Sequence, residues 1–460
     1  MEKKANNKRE RIKSKIREAL VSSTSHGIPN IFSSDNLIQK FVWIVFTLIA
    51  TSLCGYLILE NIINYKKYEV SSKTQIVFEE EPIFPSVTFC NGNFITKYSK
   101  EIFEKLYPYF QNTYDDELNR FQIIKEIYAF SNYNLSYLKE LGDSKSDLIG
   151  PTTEKSLIPL PIQEYNLEEH FTQYFDNYYG NCFTFNSFKY DNGSKREPLR
   201  ANLNNHGFVF TLILDLNEKL SEYFSKSAIV FIHEFGSWPK SAEPISILPG
   251  QLTNIAIKKT LSKRLAKPYS NCDHDTDNPL KYKSEYFKAV HNISKKYKQS
   301  LCIRLCFENL VLRNCPCYLS LIPNFDIRNC LNNTEEDCPQ KVNNMLTQNN
   351  YLNSECVQKC PLECEFITYS TKVSTKKFLY KDNMPVSRVQ IYFENLYSTE
   401  FVETELIDIP TLLSNIGGIA GLFLGVSVLS FVEIVSLIIE LLRISLAKNS
   451  KVKEKMNESI

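Results

Sequence analysis

The chain has 460 residues, a formal net charge of +1, and 26 Tyr and 30 Phe. That length supports several packed units, and the balanced charge excludes a global bias towards nucleic acid. Mean hydropathy is −0.25, which excludes a transporter built mostly of membrane spans and makes most of the chain soluble.

Residues 1–40 read as a mobile basic arm with Lys3, Lys4, Lys8, Arg9, Arg11, Lys13, Lys15 and Arg17. Taken alone, His26-Gly27 in that arm is a turn. Phe41 to Leu59 carries no charge and is bounded by Lys40 and Lys66-Lys67, which predicts a transmembrane helix over 41–63. The polar stretch before it, about forty residues, argues against a cleaved signal peptide.

Beyond Tyr68, Phe84 to Asn91 reads as a strand. Ser99 to Leu141 turns helical, with Phe103, Leu106, Tyr107 and Phe110, then Ile123, Ile124, Ile127 and Tyr128, facing a core. Strands return at Cys182–Asn186, Phe208–Leu216, Ile229–His233 and Asn254–Leu261, with a turn at Leu248–Gln251. Of 13 Cys, Cys54 lies in the first span and the other 12 fall between Cys90 and Cys364, as an oxidising compartment would produce. The sequons at Asn134, Asn192, Asn292 and Asn332 lie in the same region. Cys302 and Cys306 share a helix face, and Cys356 and Cys360 repeat the spacing. Two antiparallel helices would then pair Cys302 with Cys360 and Cys306 with Cys356. Cys315, Cys317, Cys330 and Cys338 would close a small loop between them, with zinc ligation as the rival use. Strands around Glu365–Val373 and Val386–Leu396 complete an outer region of roughly 340 residues, enough for several subdomains.

The second membrane segment occupies 406–443. From Pro410 to Leu442 a continuous helix would run roughly 50 Å against a hydrocarbon core of about 30 Å, so it must tilt, break or extend beyond the membrane. Gly417, Gly421 and Gly425 recur every fourth residue and would let helices approach closely. Packing accounts for those glycines but not for Glu433 and Glu440, which share a face with Ser436; intramembrane carboxylates are costly and mark ion pathways. Two spans put both termini on one side. Basic residues in the arm and in the tail, 444–460, place that side in the cytosol and 64–405 outside.

No catalytic constellation emerges, so the chain is not expected to be an enzyme. His233-Glu234 lacks a second histidine at the zincin spacing, and Gly425-Val-Ser427 is no nucleophile elbow. Asp273-His-Asp-Thr-Asp277 begins like a calcium loop, but Asn278 replaces the needed glycine; a solvated acidic loop is the plainer reading. One pore-type span per chain cannot enclose a pore, so several copies must gather about an axis, each giving Gly425, Ser427 and Glu433 to a ring. The reading is an oligomeric cation channel. A two-span receptor or scavenger with inert anchors gives no role to Glu433.

The run from Gly417-Gly418 through Gly421, Gly425-Val-Ser427 and Ser430 to Glu433 resembles the second transmembrane signature of the degenerin/epithelial sodium channel family, which includes the acid-sensing ion channels. His26-Gly27, Phe84 to Asn91, Gly180 to Asn186, Pro249-Gly250 and the cysteine block match in order. The resemblance implies a membrane protein with two transmembrane helices and a large disulfide-rich α+β ectodomain of palm, β-ball, finger, thumb and knuckle, assembled as a homo- or heterotrimer with related subunits. It implies an amiloride-sensitive, sodium-permeable plasma-membrane channel with Gly425, Val426 and Ser427 as selectivity filter. Ser414, with Gly417, Gly418 and Gly421, would form the gate, and Glu433, Ser436 and Glu440 the cytosolic mouth. His26 and Gly27 would form a re-entrant loop, and Tyr68 and Tyr269 would couple the ectodomain to the pore. Disulfides would join Cys90–Cys182, Cys272–Cys364, Cys302–Cys360, Cys306–Cys356, Cys315–Cys338 and Cys317–Cys330. No resident cofactor is expected; Na⁺ is the expected permeant ion and extracellular Ca²⁺ an expected modulator.

Departures narrow the gating stimulus. Glu69 follows Tyr68 where acid-sensing members carry His, Tyr269 stands where they carry Trp, and a disulfide upstream of Cys182 is missing, which disfavours proton gating. The short tail without a Pro-Tyr motif disfavours the hormone-regulated epithelial branch. The chain is most similar to peptide-gated invertebrate members, with a neuropeptide as the expected ligand; mechanical or constitutive opening is the alternative.

Overall fold

The computed structural model describes residues 2–97, 134–156, 167–189, 193–214, 227–315, 351–377 and 386–457, with scattered positions between 102 and 131 and between 338 and 344. The chain divides into two compact units, Met1–Ser71 with Thr404–Ile460, and Ser72–Glu403.

The first unit is helical: α1 (Glu2–Val21), α2 (Ile28–Ser33) and α3 (Leu37–Lys66) from the start of the chain. The expected mobile arm is therefore largely helix. Lys, Arg, Glu and Ala, which favour helix, dominate residues 2–21, and Lys15 pairs with Glu18 at 3.0 Å one turn away. Asn36 opens α3 by accepting the Ile38 N–H, and the helix extends several residues beyond the expected apolar run at both ends. It is long and apolar enough to cross a membrane, with a mean hydropathy of 2.2 over its most apolar window.

The second unit carries the helices α4 (Leu135–Leu141), α5 (Lys145–Leu148), α6 (Glu285–Ile293), α7 (Gln299–Asn314) and α8 (Tyr351–Glu355). Its strands begin with β1 (Val70–Phe78), β2 (Ser86–Asn91), β3 (Ile149–Ser156), β4 (Phe171–Asp176), β5 (Gly180–Phe185), β6 (Asn205–Ile213) and β7 (Ala228–His233). They continue with β8 (Pro244–Ile247), β9 (Gln251–Lys263), β10 (Cys272–Asp273), β11 (Leu362–Glu363), β12 (Glu365–Lys377), β13 (Val386–Phe393) and β14 (Tyr397–Glu405). One sheet runs β1-β14-β9-β13-β6-β3 with β12 also on β9, and a second runs β4-β5-β2-β7-β8.

Phenylalanines join the two sheets. Phe84 and Phe185 meet Phe208 edge to face at 4.8 and 4.9 Å, and Phe89 meets Phe210 at 4.8 Å. A second core lies under α6 and α7, and a third gathers Ile102, Ile123, Ile124, Ile127, Tyr128, Leu138 and Leu141. Phe103, Leu106, Tyr107 and Phe110 lie outside the described residues.

Among the described residues, disulfides join Cys90–Cys182, Cys272–Cys364, Cys302–Cys360, Cys306–Cys356 and Cys315–Cys338. Cys317 and Cys330 lie outside the described residues. The two middle pairs follow the expected register, but their second element is not a helix. Cys356 and Cys360 flank a 3₁₀ turn, Val357–Lys359, because Pro361 follows at once and forbids a continuing helix.

In the acidic loop the carboxylates have protein partners. Asp273 accepts from Lys281 Nζ at 2.5 Å and from the Tyr282 hydroxyl, while Asp277 takes Lys296 Nζ at 2.5 Å. Lysines satisfy these carboxylates. Asn134 and Asn292 are exposed, whereas Asn192 and Asn332 lie outside the described residues.

Candidate functional site: a broken helix and the loop beneath it

Thr404 onward completes the first unit with α9 (Ile409–Leu424) and α10 (Val428–Asn457). Asp408 starts α9 by accepting the Thr411 N–H at 2.8 Å, and Pro410 sits in the first turn where no N–H is needed. Sixteen residues of helix reach roughly 24 Å, short of the hydrocarbon core alone. Ile409–Leu424 and Val428–Ile444 pass the membrane test together, but bent by 75° at the break between them.

The break is Gly425-Val426-Ser427. Gly425 closes α9 in the left-handed conformation, φ 67° and ψ 17°, with its N–H on the Gly421 carbonyl at 3.0 Å. Ser427 opens α10: its N–H donates to Ser430 Oγ at 3.1 Å, and Ser430 N–H returns to the Ser427 carbonyl at 3.0 Å.

A helix that ends at membrane depth exposes carbonyls that lipid cannot satisfy. Here the loop between α1 and α2 supplies the donors. Leu424 O accepts from the His26 N–H at 3.2 Å and from Ser25 Oγ at 3.1 Å. The His26 ring fills the space that a Cβ on Gly425 would need. Gly27 in turn lies so close to Thr47 of α3 that its own Cβ would land on the Thr47 hydroxyl. Both halves of the His-Gly pair thus have steric roles: the ring fits only because residue 425 is Gly, and the backbone fits only because residue 27 is.

Above the break, α9 packs on α3, with Asn415 Nδ2 donating to Asn61 Oδ1 at 3.2 Å. Asn415, Ile416, Ile419 and Ala420 are half-buried, whereas Ser414, Gly417, Gly418 and Gly421 are exposed on the opposite face. A Cβ on Gly417 or Gly418 would meet nothing within 4 Å. The glycine face is therefore not used for packing within the chain. Below the break, Glu433, Ser436 and Glu440 line an open groove of about 520 Å³ against α1. Lys15 Nζ stands 3.8 Å from Glu440, and Thr24 reaches Glu433.

Tyr68 takes a positive φ of 52° in the turn after α3, and the Tyr269 N–H closes a turn on the Ala266 carbonyl; they belong to different units. No group of three or more metal-ligating side chains occurs among the described residues. Sequence reasoning missed Ser25 and Thr24, since nothing in their spacing points to residues some 400 positions away.

A family model described as "Amiloride-sensitive sodium channel" matches residues 20–437, a span that takes in His26-Gly27, the break, Glu433 and Ser436. The chain is 24% identical to acid-sensing ion channel 1A of Danio rerio over 94% of this chain and 89% of that one. It is 22% identical to the FMRFamide-activated amiloride-sensitive sodium channel of Cornu aspersum, covering 93% and 83%, and 23% identical to epithelial sodium channel subunit gamma of Pan troglodytes, covering 92% and 79%.

Proposed function

The chain belongs to the amiloride-sensitive sodium channel family, a family of ion channels rather than enzymes, and from that premise we propose that it is one subunit of a trimeric, amiloride-sensitive, sodium-permeable channel of the plasma membrane. In this reading α3 and the bent pair α9–α10 are its two spans, both termini are cytosolic, and a secreted neuropeptide opens it from outside.

The observation that carries the reading is the break at Gly425–Ser427. A lipid-facing span has no use for a 75° bend with three residues outside both helices, nor for a glycine and serine face left open beside it. Gathered about an axis, three such breaks present a ring of backbone carbonyls and hydroxyls that can replace part of the hydration shell of a cation. Ser414, Gly417, Gly418 and Gly421 then line the path above this ring, and Glu433, Ser436 and Glu440 line it below. The relative named for activation by FMRFamide favours a peptide ligand, and the absence of His beside Tyr68 counts against a proton.

Expression in oocytes under voltage clamp tests this. Ser414→Cys, enlarged with a charged thiol reagent, should hold open an amiloride-sensitive Na⁺ current that wild type does not show after the same treatment. If no such current arises, alone or with related subunits, the channel reading is wrong.

A further inference from the structure

We propose that Thr24 positions the carboxylate of Glu433, so that the segment ahead of the first span sets ion discrimination at the cytosolic mouth; the proposal rests on the channel reading above. Three hydrogen bonds carry it. The Thr24 N–H donates to Glu433 Oε2 at 3.3 Å, the Thr24 hydroxyl reaches the same oxygen at 3.3 Å, and Thr24 Oγ1 lies 2.7 Å from Ser430 Oγ.

Proton accounting gives these bonds a direction. Ser430 Oγ already accepts from the Ser427 N–H at 3.1 Å and is buried, so its own proton is free to be donated. Thr24 has one hydroxyl proton, and Glu433 as a carboxylate can only accept. All partners are satisfied when Ser427 N–H donates to Ser430, Ser430 O–H to Thr24, and Thr24 O–H to Glu433. The filter and the carboxylate are then the two ends of one relay, each bond polarising the next. Thr24 is the link that α10 cannot supply by itself.

Two donors on one oxygen orient the carboxylate and compensate part of its charge. Without the hydroxyl, Glu433 keeps only the backbone donor and is freer to turn towards the axis. A ring of three less compensated carboxylates would bind a divalent cation from the cytosol more tightly.

The test uses the full chain, with related subunits where current requires them, in inside-out patches carrying Na⁺ with Mg²⁺ on the cytosolic face. Thr24→Val, which keeps shape and removes the hydroxyl, should lower the Mg²⁺ concentration for half block by about tenfold, the low end of a lost hydrogen bond to a charged group. Thr24→Ser should behave as wild type, and Thr24→Val should add nothing in a Glu433→Gln background. Unchanged block in Thr24→Val, or an equal shift in the Glu433→Gln background, overturns the proposal. A second measurement reads the geometry alone. In a Cys54→Ala background, Thr24→Cys with Ser430→Cys should form a disulfide on mild oxidation, found by mass spectrometry of the full chain; absence of that bond also overturns it. Lack of any current even after Ser414→Cys is enlarged with the thiol reagent overturns the channel reading itself, a failure separable from this one because the cross-link would still form.

Discussion

Replacing Gly425 by Ala combines two costs that can be measured apart. The first is conformational: a residue with a Cβ held at φ 67° costs about 1–2 kcal/mol relative to Gly. The second is steric, because the new methyl occupies the site of the His26 ring, so the ring must leave. When it leaves, the half-buried Leu424 carbonyl loses the donors Ser25 Oγ and His26 N–H, and leaving such an acceptor unsatisfied costs about 1–3 kcal/mol. Together these destabilise the assembled break and loop by roughly 2–5 kcal/mol relative to wild type, a factor of about thirty to several thousand. Gly425→Ala should therefore reach the surface by biotinylation but lose Na⁺ over K⁺ discrimination in voltage clamp. His26→Ala added to it should restore part of the discrimination, since it removes the clash and leaves the backbone cost. Wild-type selectivity in Gly425→Ala, or complete restoration by His26→Ala, would refute the reasoning.

How much of this was legible in the sequence follows from where the determinants lie. The broken helix was legible because its causes are local: an overlong apolar run, clustered Gly and Ser, and carboxylates that lipid would not keep. The buried strands β2, β5, β6 and β7 were legible as dense β-branched and aromatic runs. Strands β3 and β14 were not. Ile149-Gly-Pro-Thr-Thr-Glu-Lys-Ser156 contains a Pro tolerated because β3 is the last strand of its sheet, and the acidic Tyr397–Glu405 is a strand because β9 offers its edge. The cysteine register was right for a partly wrong reason. Spacing of four keeps both sulfurs on one side across a 3₁₀ turn as well as along an α-helix. The role of His26-Gly27 came from resemblance, whereas its fit against Gly425 and Thr47 is a tertiary fact that no local pattern encodes.

Two further outcomes follow from the geometry. Gly27→Ala places a methyl on the Thr47 hydroxyl at an ordinary backbone conformation, φ −92°, so Thr47→Ala should rescue its current nearly completely, unlike the partial rescue at Gly425; failure to rescue would show that the Gly27 contact is not the cause. The ectodomain should also be acid-labile at a named residue. His233 is buried between Thr88, at 3.0 Å from Nε2, and Ser237, at 3.2 Å from Nδ1, and burial lowers its pKa from 6.5 to about 4. Below pH 6.5 the unfolded chain binds the proton that the folded chain refuses. The stability contributed by the neutral ring is thus complete above about pH 6.5 and is lost as pH falls towards 4, by about 3 kcal/mol in total. His170 and His291, also held low by burial, act in the same sense. Thermal unfolding of the full-length protein in detergent checks this: His233→Gln should be less stable at pH 8 yet lose less on acidification than wild type. Parallel curves for the two proteins between pH 6.5 and 4 would refute the assignment.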